Sequence, residues 1–369
     1  MKLKILLTFT SFFWLPIVGV AQSEIAFFIL GGRDNAGHLA QAYLSPLANA
    51  AQANLGNGWL IINDTISSGK INISLQTTVS LTPQKDRYFD VNQLALSPDV
   101  HTSQNGKTLS PTALGASHNG QHIVVTTARP QDGEEMYLTE FSLPEGLGLS
   151  FIPQPSIQAQ IGVFKYSSIL LRGLPGIHID YENTDYYTYM YGVGILQSLN
   201  PLIAPLEEQS IHLSFLFTYS HQYARSSLSR TQAWYWHHGH ITVLTEEQKK
   251  EEWYDGQKLD VKANNYVMQL YISKTVKHWR FYACVNRYVG STIINTYGRY
   301  PRRDIRAKEE EPYYEYFFHD ELNPVALSLP HRQWRLGLGF SVQVGAIGLH
   351  TEASLSDYKN LSAGISYQF

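Results

Sequence analysis

Cysteine and charge are scarce in this sequence. Its 369 residues include one cysteine, Cys284, which can form neither a disulfide within the chain nor a zinc ribbon. It is either a small apolar wall residue or a free thiol. Charged residues make up 16% of the chain and the net charge is −3, so no polyanionic partner such as nucleic acid is indicated. No glycine-rich phosphate-binding motif is present, and we expect no cofactor.

Long hydrophobic runs are missing after the first 21 residues. No later stretch approaches the roughly 20 apolar residues that a membrane-spanning helix needs. The N-terminus has a basic start at residues 1–4, a mostly apolar core over 5–18, and small residues up to Ala21. This pattern predicts a cleavable secretory signal peptide over residues 1–21. The mature protein is then either a soluble exported protein or a β-barrel.

The aromatic content and a terminal strand with one apolar face favour the barrel. Tyrosine alone accounts for 24 residues, and it is typical of membrane interfaces. Over residues 361–369, bulky apolar side chains alternate with small polar ones up to a terminal phenylalanine, Phe369. A soluble protein rarely leaves such an edge strand unprotected, whereas an outer-membrane barrel closes its sheet with it. This strand is also the signal that barrel-assembly machinery reads, and outer-membrane lipid is the expected surrounding.

Alternation with a period of two recurs along the chain and predicts the strands. The long ones are 71–81, 157–163, 167–173, 187–195, 211–219, 266–273, 281–286, 334–344, 347–355 and 361–369, and shorter ones lie near 121–127 and 134–142, within long connections. We predict an all-β protein: a transmembrane antiparallel β-barrel of about 12 strands, with 14 as the alternative, over residues 67–369. Stretches 222–258 and 298–330 are expected to be long extracellular loops.

A helix precedes the strands. Leu39, Ala40, Tyr43 and Leu44 recur at helical spacing within residues 34–52, and Ser45 followed by proline reads as a second helix start. The helix is too short and polar to span a membrane. Residues 22–66 are therefore interpreted as an N-terminal helical plug that sits in the lumen or at its periplasmic mouth.

The polar rows of the strands predict which side chains face the lumen. In a membrane barrel the apolar row faces lipid and the polar row faces inward. The candidate lumen-facing residues are Arg335, Gln343, His350, Glu352, Gln269 and Tyr271. Arg335, His350 and Glu352 could belong to a hydrolase only with a serine held by that histidine. A network of ion pairs and hydrogen bonds is the preferred interpretation, and no enzyme is expected.

Three histidines form a compact group within residues 234–240, WYWHHGH. His237, His238 and His240 could bind a transition metal, but their spacing suits neither one helical face nor a zinc finger. The favoured interpretation is that these residues form the aromatic base of a loop at the membrane interface. No metal site is predicted.

Several short segments, taken in order, resemble a known family. They are residues 42–47 followed by 57–59, then 143–148, 152–158, 170–175, 191–195 and 362–369. The chain resembles an uncharacterised family of Bacteroidota outer-membrane β-barrel proteins, which is remotely similar to the long-chain fatty-acid transporter barrels. The resemblance implies a barrel in the outer membrane and brings no catalytic residues.

Two functions remain open from the sequence. The first is a channel or transporter for a small or hydrophobic solute. The second is a structural or adhesive outer-membrane protein whose lumen is plugged. Polar rows rich in glycine favour space inside the barrel, whereas the N-terminal helix favours plugging or gating.

Overall fold

The computed structural model describes residues 24–59, 66, 68–103, 108–181, 184–203, 209–228, 242–310 and 314–369. In chain order, the strands within these residues are β1 (Ile71–Leu81), β2 (Tyr88–Asp90), β3 (Val100–Thr102), β4 (Leu109–Pro111), β5 (His122–Ala128), β6 (Glu135–Ser142), β7 (Phe151–Phe164), β8 (Ser167–Tyr181), β9 (Thr184–Ser198), β10 (Ile211–Ser227), β11 (Thr242–Val243), β12 (Lys258–Val276), β13 (Trp279–Tyr297), β14 (Arg299–Ala307), β15 (Tyr314–Leu322), β16 (Ala326–Val344), β17 (Ile347–Leu355) and β18 (Lys359–Gln368).

Ten of these strands form a closed antiparallel barrel. Their order around the wall is β1, β18, β17, β16, β13, β12, β10, β9, β8 and β7. The last strand closes the sheet on the first, from Asn72 opposite Gln368 to Leu81 opposite Lys359. The terminal strand therefore has a partner on each side, and the edge that its sequence would expose does not exist.

The predicted number of barrel strands, about 12 or 14, is wrong, because the barrel has ten. The two short segments predicted near 121–127 and 134–142 are strands, but they do not join the wall. They are β5 and β6, which pair with β3 in a separate three-stranded sheet. Alternation reports only that one face of a strand is buried, and here the buried face covers the N-terminal helix.

The two ends of the barrel differ in their connections. Tight turns join β7 to β8, β12 to β13 and β16 to β17 at one end, which we call the short-turn end. Residues 82–150, 228–257 and 298–325 connect strands at the opposite, long-connection end. The separate sheets lie on these long connections. One of them, made of β11, β15 and β14, occupies much of the stretch that the sequence predicted as a loop over 298–330.

The outer surface of the barrel is apolar. On β16, Trp334, Leu336 and Leu338 are 61%, 60% and 67% exposed, while Arg335 between them is 2% exposed. The same outward apolar row recurs on the other wall strands. The predicted inward and outward rows of β16 are thus the ones found.

Aromatic side chains form two bands on this outer surface. Toward the long-connection end, Tyr189 packs on Tyr223 and Tyr219 packs on Tyr266, with ring centroids 5.5 and 5.0 Å apart. Near the short-turn end, Trp279 packs on Phe340 at 5.8 Å, and Tyr367 packs on Phe369 at 4.8 Å. Their rings are half-buried to exposed, with the exposed apolar row between the two bands.

One α-helix, α1 (Arg33–Gly56), follows a short 3₁₀ helix at Glu24–Gly31. The predicted second start at Ser45 is wrong, because α1 runs through Pro46 without a break. The Ser45 hydroxyl donates to the Gln41 carbonyl 2.5 Å away, so it satisfies a carbonyl of the preceding turn instead of capping a new helix. Within the described part of the chain, no helix is both long and apolar enough to cross a membrane.

The two halves of α1 have different surroundings. The first half packs under the separate sheets, where Phe28 meets Tyr43 with ring centroids 5.8 Å apart and the Tyr43 hydroxyl donates to the Glu145 carbonyl at 2.7 Å. The second half lies inside the barrel against β1, β7, β10, β12, β13 and β16. The chain therefore enters the lumen from the long-connection end, whereas β1 begins at the short-turn end.

A half-buried carboxylate organises the connection between β10 and β12. Asp320 accepts hydrogen bonds from Trp253 at 2.6 Å, from Tyr254 at 2.9 Å and from Gln248 at 3.1 Å. Burial and the Asp320 charge raise the pKa of Tyr254 above its ordinary value, so the phenol stays a donor. The Arg299 guanidinium covers the Trp253 ring at 3.8 Å.

We expect the Asp320→Asn substitution to loosen this connection. An asparagine cannot accept all three bonds with a full charge, and hydrogen bonds to charged groups are worth about 1.5–3 kcal/mol each. Trypsin should cleave at the exposed Lys249 about ten-fold faster in the variant, since local opening governs proteolysis. Glu309→Gln, at an exposed carboxylate, is the control. Equal cleavage rates in all three proteins would contradict the role assigned to Asp320.

Candidate functional site in the barrel lumen

Hydrogen bonds to the wall hold α1 in the lumen. The Gln52 amide nitrogen donates to the Ser291 carbonyl at 2.9 Å and to the Thr292 hydroxyl at 3.0 Å. The Gln52 oxygen accepts from Asn265 at 2.8 Å. Since Gln52 is fully buried, these partners replace water that its amide would otherwise need.

Asn54 makes a second set of wall contacts two residues later. Its nitrogen donates to the Ile152 carbonyl at 2.9 Å, and its oxygen accepts from the Ser80 hydroxyl at 2.7 Å. Asn360 of the terminal strand also bonds to Ser80. The helix is thus bonded to β12 and β13 on one side and to β1 and β7 on the other.

The residues just after α1 are bonded to the wall in the same way. Arg172 donates to the Asn57 carbonyl, Gln76 donates to the Gly58 carbonyl at 2.6 Å, and the Tyr271 hydroxyl donates to the Trp59 carbonyl at 2.9 Å. These donors satisfy backbone carbonyls that follow the helix and would otherwise be buried without a partner.

Trp59 fits against the wall because a glycine faces it. The side chain is 1% exposed, and a Cβ on Gly192 would lie 2.9 Å from its ring. Any larger residue at 192 would push the ring out of place. The indole therefore lies buried inside the barrel, just beyond the helix end.

An apolar cavity lies beside α1 in the half of the lumen toward the long-connection end. Its volume is about 120 Å³. The side chains around it that come from the helix are Leu44, Leu47, Ala48, Ala51 and Asn54, and those from the wall are chiefly Ile152, Pro153, Tyr186, Ala224, Leu259, Val261, Ala263 and Ile294.

The wall is split next to this cavity, between β7 and β8. The ladder between these strands runs only from Phe164 opposite Ser167 to Ile157 opposite Gly173. Beyond that point β7 pairs with β1 alone, and β8 pairs with β9 alone with a register shift between Leu174 and Ile177. Residues 151–156 of β7 and 174–181 of β8 therefore do not pair with each other, and we call this stretch the split seam.

Prolines explain why the split seam does not pair. Pro153 and Pro155 lie on β7, and Pro175 lies on β8 at the register shift. A proline has no N–H and cannot donate to a ladder. Pro153 also lines the apolar cavity, so the split seam borders that cavity directly.

A polar chamber lies beyond the helix end, toward the short-turn end. Gln269 on β12 is opposite Asn286 on β13, and Asn286 is opposite Arg335 on β16, so the three form one inward row. They are 1%, 1% and 2% exposed. Both amide atoms of Gln269 and Asn286, and Nε and one terminal nitrogen of Arg335, have no hydrogen-bond partner.

A carboxylate and a phenol lie beside this row. Glu352 is 3% exposed and lies within electrostatic range of Arg335, and the nearby Tyr282 hydroxyl donates to the Thr351 carbonyl at 3.3 Å. Gly339 lies between them, opposite Tyr282 on one side and Glu352 on the other. A Cβ on Gly339 would collide with the phenol, so the glycine leaves room for the Tyr282 ring.

The structure places five of the six predicted lumen-facing residues inside the barrel. Arg335, His350, Glu352, Gln269 and Tyr271 are buried there. Gln343 is half-buried at the short-turn end, where its amide donates to Gln368 at 2.9 Å.

Among the described residues, no serine is bonded to His350. Ser341 is opposite His350, yet both ring nitrogens of His350 are without a partner. This geometry provides no base held against a nucleophile.

Other lumen residues were missed from the sequence. Gln52, Asn54 and Trp59 lie near the end of α1 or after it, where they look like ordinary polar or turn residues. Arg172 and Asn286 occupy the polar rows of their strands, and the alternation rule would have identified them.

The histidine group at 234–240 lies outside the described residues. Within those residues, no three side chains of histidine, cysteine, aspartate or glutamate are placed to hold a metal ion. Cys284 is buried in the wall and faces inward.

Comparison with known proteins gives a family. A family model described as a family of unknown function (DUF6588) matches residues 1–369. No curated protein matches the chain.

Solved structures of outer-membrane barrels show weak similarity. The outer-membrane protease OmpT of Escherichia coli is 10% identical, with 81% of this chain and 96% of that chain covered and a TM-score of 0.32. The translocator domain of the autotransporter NalP of Neisseria meningitidis is 10% identical, with 89% and 96% covered and a TM-score of 0.29. The outer membrane protein OprG of Pseudomonas aeruginosa is 9% identical, with 83% and 98% covered and a TM-score of 0.28.

Proposed function

The chain belongs to this family of unknown function, and we propose that it is an outer-membrane barrel that takes a small apolar solute into the cavity beside its plug helix. The proposed role is binding and passage, without catalysis. The observation that carries it is the apolar cavity between α1 and the wall.

The outer surface supports a membrane location. Tyr266, in the first aromatic band, and Val276, which pairs with Trp279 of the second, are ten residues apart on β12. That is roughly 33 Å along a strand, and about 25 Å along the barrel axis at a tilt of about 40°. Outer-membrane barrels have an apolar band of about this height between aromatic girdles. Membrane lipid is then the partner of the outer surface, and barrel-assembly machinery is the partner during biogenesis.

The size and chemistry of the cavity define the solute. An engineered apolar cavity of about 150 Å³ in another protein stays dry and binds benzene. A cavity of about 120 Å³ lined by leucine, isoleucine, valine and alanine therefore suits a small ring or a short alkyl segment. Asn54, Gln154, Gln222 and Thr292 also line the cavity, but its surface is mostly apolar, so a polar solute would lose more hydration there than it regains in hydrogen bonds.

The split seam supplies a route for such a solute. No ladder hydrogen bonds join residues 151–156 to residues 174–181, and Pro153 belongs to both the split seam and the cavity wall. The split seam begins level with Tyr189 of the first aromatic band, since Leu174 is opposite Met190 on β9. An apolar molecule at the membrane interface would reach the cavity through this gap without crossing the polar chamber. Onward passage requires α1 to shift, since its hydrogen bonds to the wall close the lumen.

A structural or adhesive barrel with a plugged lumen is the second candidate. The hydrogen bonds of Gln52 and Asn54 to opposite sides of the wall favour it, because a helix fixed on both faces can remain permanently in the lumen.

Binding of iodobenzene distinguishes the two functions. Crystals of the purified protein soaked with iodobenzene should show anomalous density for iodine in the cavity. The Ala263→Phe variant fills the cavity and should lose that density, and fluorobenzene affinity measured by ¹⁹F NMR in nanodiscs should fall at least about ten-fold. Ala353→Phe makes the same change on the exposed outer row and is the control, which should bind as the wild type does.

Iodine density confined to the outer surface in all three proteins would reject the solute-binding role and favour the plugged structural barrel. The heat-induced shift in gel mobility checks that each variant is a folded barrel.

A further inference from the structure

The inward row Gln269–Asn286–Arg335 has more hydrogen-bonding capacity than the protein uses. Neighbouring side chains on one face of a sheet lie about 4.5–5.5 Å apart at Cβ, so the three polar ends converge on one volume. Gln269 also lies beside the Cys284 thiol, a weak partner that leaves most of its amide unused. Buried polar groups are nearly always satisfied, so a set of this size points to a ligand or solvent.

The charges around the row are predominantly positive. Arg172 and Arg335 lie within electrostatic range of each other, and Arg172 also has an unpartnered terminal nitrogen. Among the described residues beyond the helix end, Glu352 is the one inward-facing carboxylate, and it lies within electrostatic range of Arg335. Two guanidiniums beside one carboxylate leave an excess of positive charge in the polar chamber.

The mouth of the barrel at the short-turn end is also positively charged. A cleft of about 310 Å³ opens there between Lys277, His278 and Arg280, with Ser341 and Gln343 on its wall. The Arg280 guanidinium is held in place by the Thr275 hydroxyl at 3.2 Å. Clefts lined by one sign of charge raise the local concentration of the opposite ion.

We propose that the polar chamber binds a small oxyanion, a carboxylate or a phosphate group, between Arg335, Gln269 and Asn286. The guanidinium supplies charge and a planar fork of donors that matches both groups. The two carboxamides supply neutral donors on the adjacent strands. The anion enters from the short-turn end through the cleft of Lys277 and Arg280.

This site is independent of the apolar cavity. The helix end and Trp59 lie between the two volumes, and Gln52 and Asn54 seal α1 to the wall above the chamber. An empty apolar cavity would leave the oxyanion site as it is.

Titration of the purified full-length barrel with ¹³C-acetate and with inorganic phosphate tests the proposal. Saturable broadening of the ¹³C or ³¹P signal below about 10 mM is expected for at least one of the two. Arg335→Gln should weaken that binding by about ten-fold or more, because a charge-assisted bond is roughly twice as strong as a neutral one. Arg335→Lys should retain part of it, and Gln269→Leu should weaken it with the arginine in place.

Arg287→Gln is the matched control, since Arg287 is on β13 next to the same row but is exposed on the outer surface. It should bind both probes as the wild type does. Binding of acetate alone identifies a carboxylate as the ligand, and binding of phosphate alone identifies a phosphate; either outcome supports the site. No saturable binding, or equal binding by Arg335→Gln and the wild type, which would mean an adventitious ion only, overturns it.

Discussion

Deletion of residues 34–54 is expected to turn a closed barrel into an open pore. The ten wall strands pair with one another through their own ladders, and none of those ladders uses α1. A helix with its side chains is about 10–12 Å across, which fills the space inside a barrel of this size. In planar bilayers the conductance should rise at least about ten-fold over that of the full chain.

A milder variant separates the plug from folding, since the deletion also removes the core beneath the separate sheets. Gln52→Leu combined with Asn54→Leu keeps the helix but breaks its bonds to Ser291, Thr292 and Ser80. Buried partners left unsatisfied cost about 1–3 kcal/mol each, so α1 should detach intermittently and give bursts of current.

The control for that variant is Gln41→Leu, which makes the same change on an exposed turn of the same helix. It should conduct as little as the wild type does. Unchanged conductance after the deletion, in a barrel shown to be folded by its heat-modifiable gel mobility, would mean that α1 does not close the lumen. A deletion that fails to fold would assign the helix to barrel assembly, and the point variants would then decide the question.

The barrel wall was predictable because every second residue of a strand faces the same environment, so polar and apolar residues alternate in the sequence. Leu338 points outward and Arg335 inward because successive side chains of a strand alternate between its two faces, and this alternation can be read from a short stretch of sequence. The number of wall strands was not predictable by the same rule. Val125 and Phe141 alternate as convincingly as wall residues, yet they bury their faces against the first half of α1. Alternation tells how a strand is buried, and it does not tell against which element.

The plug was predictable as a helix but not as a set of contacts. Leu39, Tyr43 and Leu44 show helical spacing that any reading of the sequence finds. Gln52 and Asn265, which bond to each other, are more than 200 residues apart in the chain. Their pairing depends on the position of α1 within the closed wall, which no local pattern records.

The polar chamber shows the same division. The inward direction of Gln269 and Arg335 follows from alternation, and both were predicted to face the lumen. Their convergence with Asn286 depends on the strand register, which the tight turn after Val276 and the long connection after Tyr297 set together. The split seam depends on the course of two strands around three prolines, so it too could be found only in three dimensions.

Leu338→Arg is expected to destabilise the barrel by about 2–4 kcal/mol if its outer surface lies in lipid. Leu338 is on the outward row of β16, between the two aromatic bands, and its side chain is 67% exposed. In water, a charged residue at such a position would cost almost nothing, since it would be hydrated. In the hydrocarbon region it would lose that hydration.

Leu109→Arg distinguishes lipid from water as the surrounding of that row. Leu109 is 59% exposed, nearly as much as Leu338, but it lies on β4, in a two-stranded sheet outside the wall. Unfolding in urea from lipid vesicles should show a loss of about 2–4 kcal/mol for Leu338→Arg and a change within about 0.5 kcal/mol for Leu109→Arg. Two equally small changes would mean that the apolar outer surface faces water, and the proposed outer-membrane location would then be abandoned.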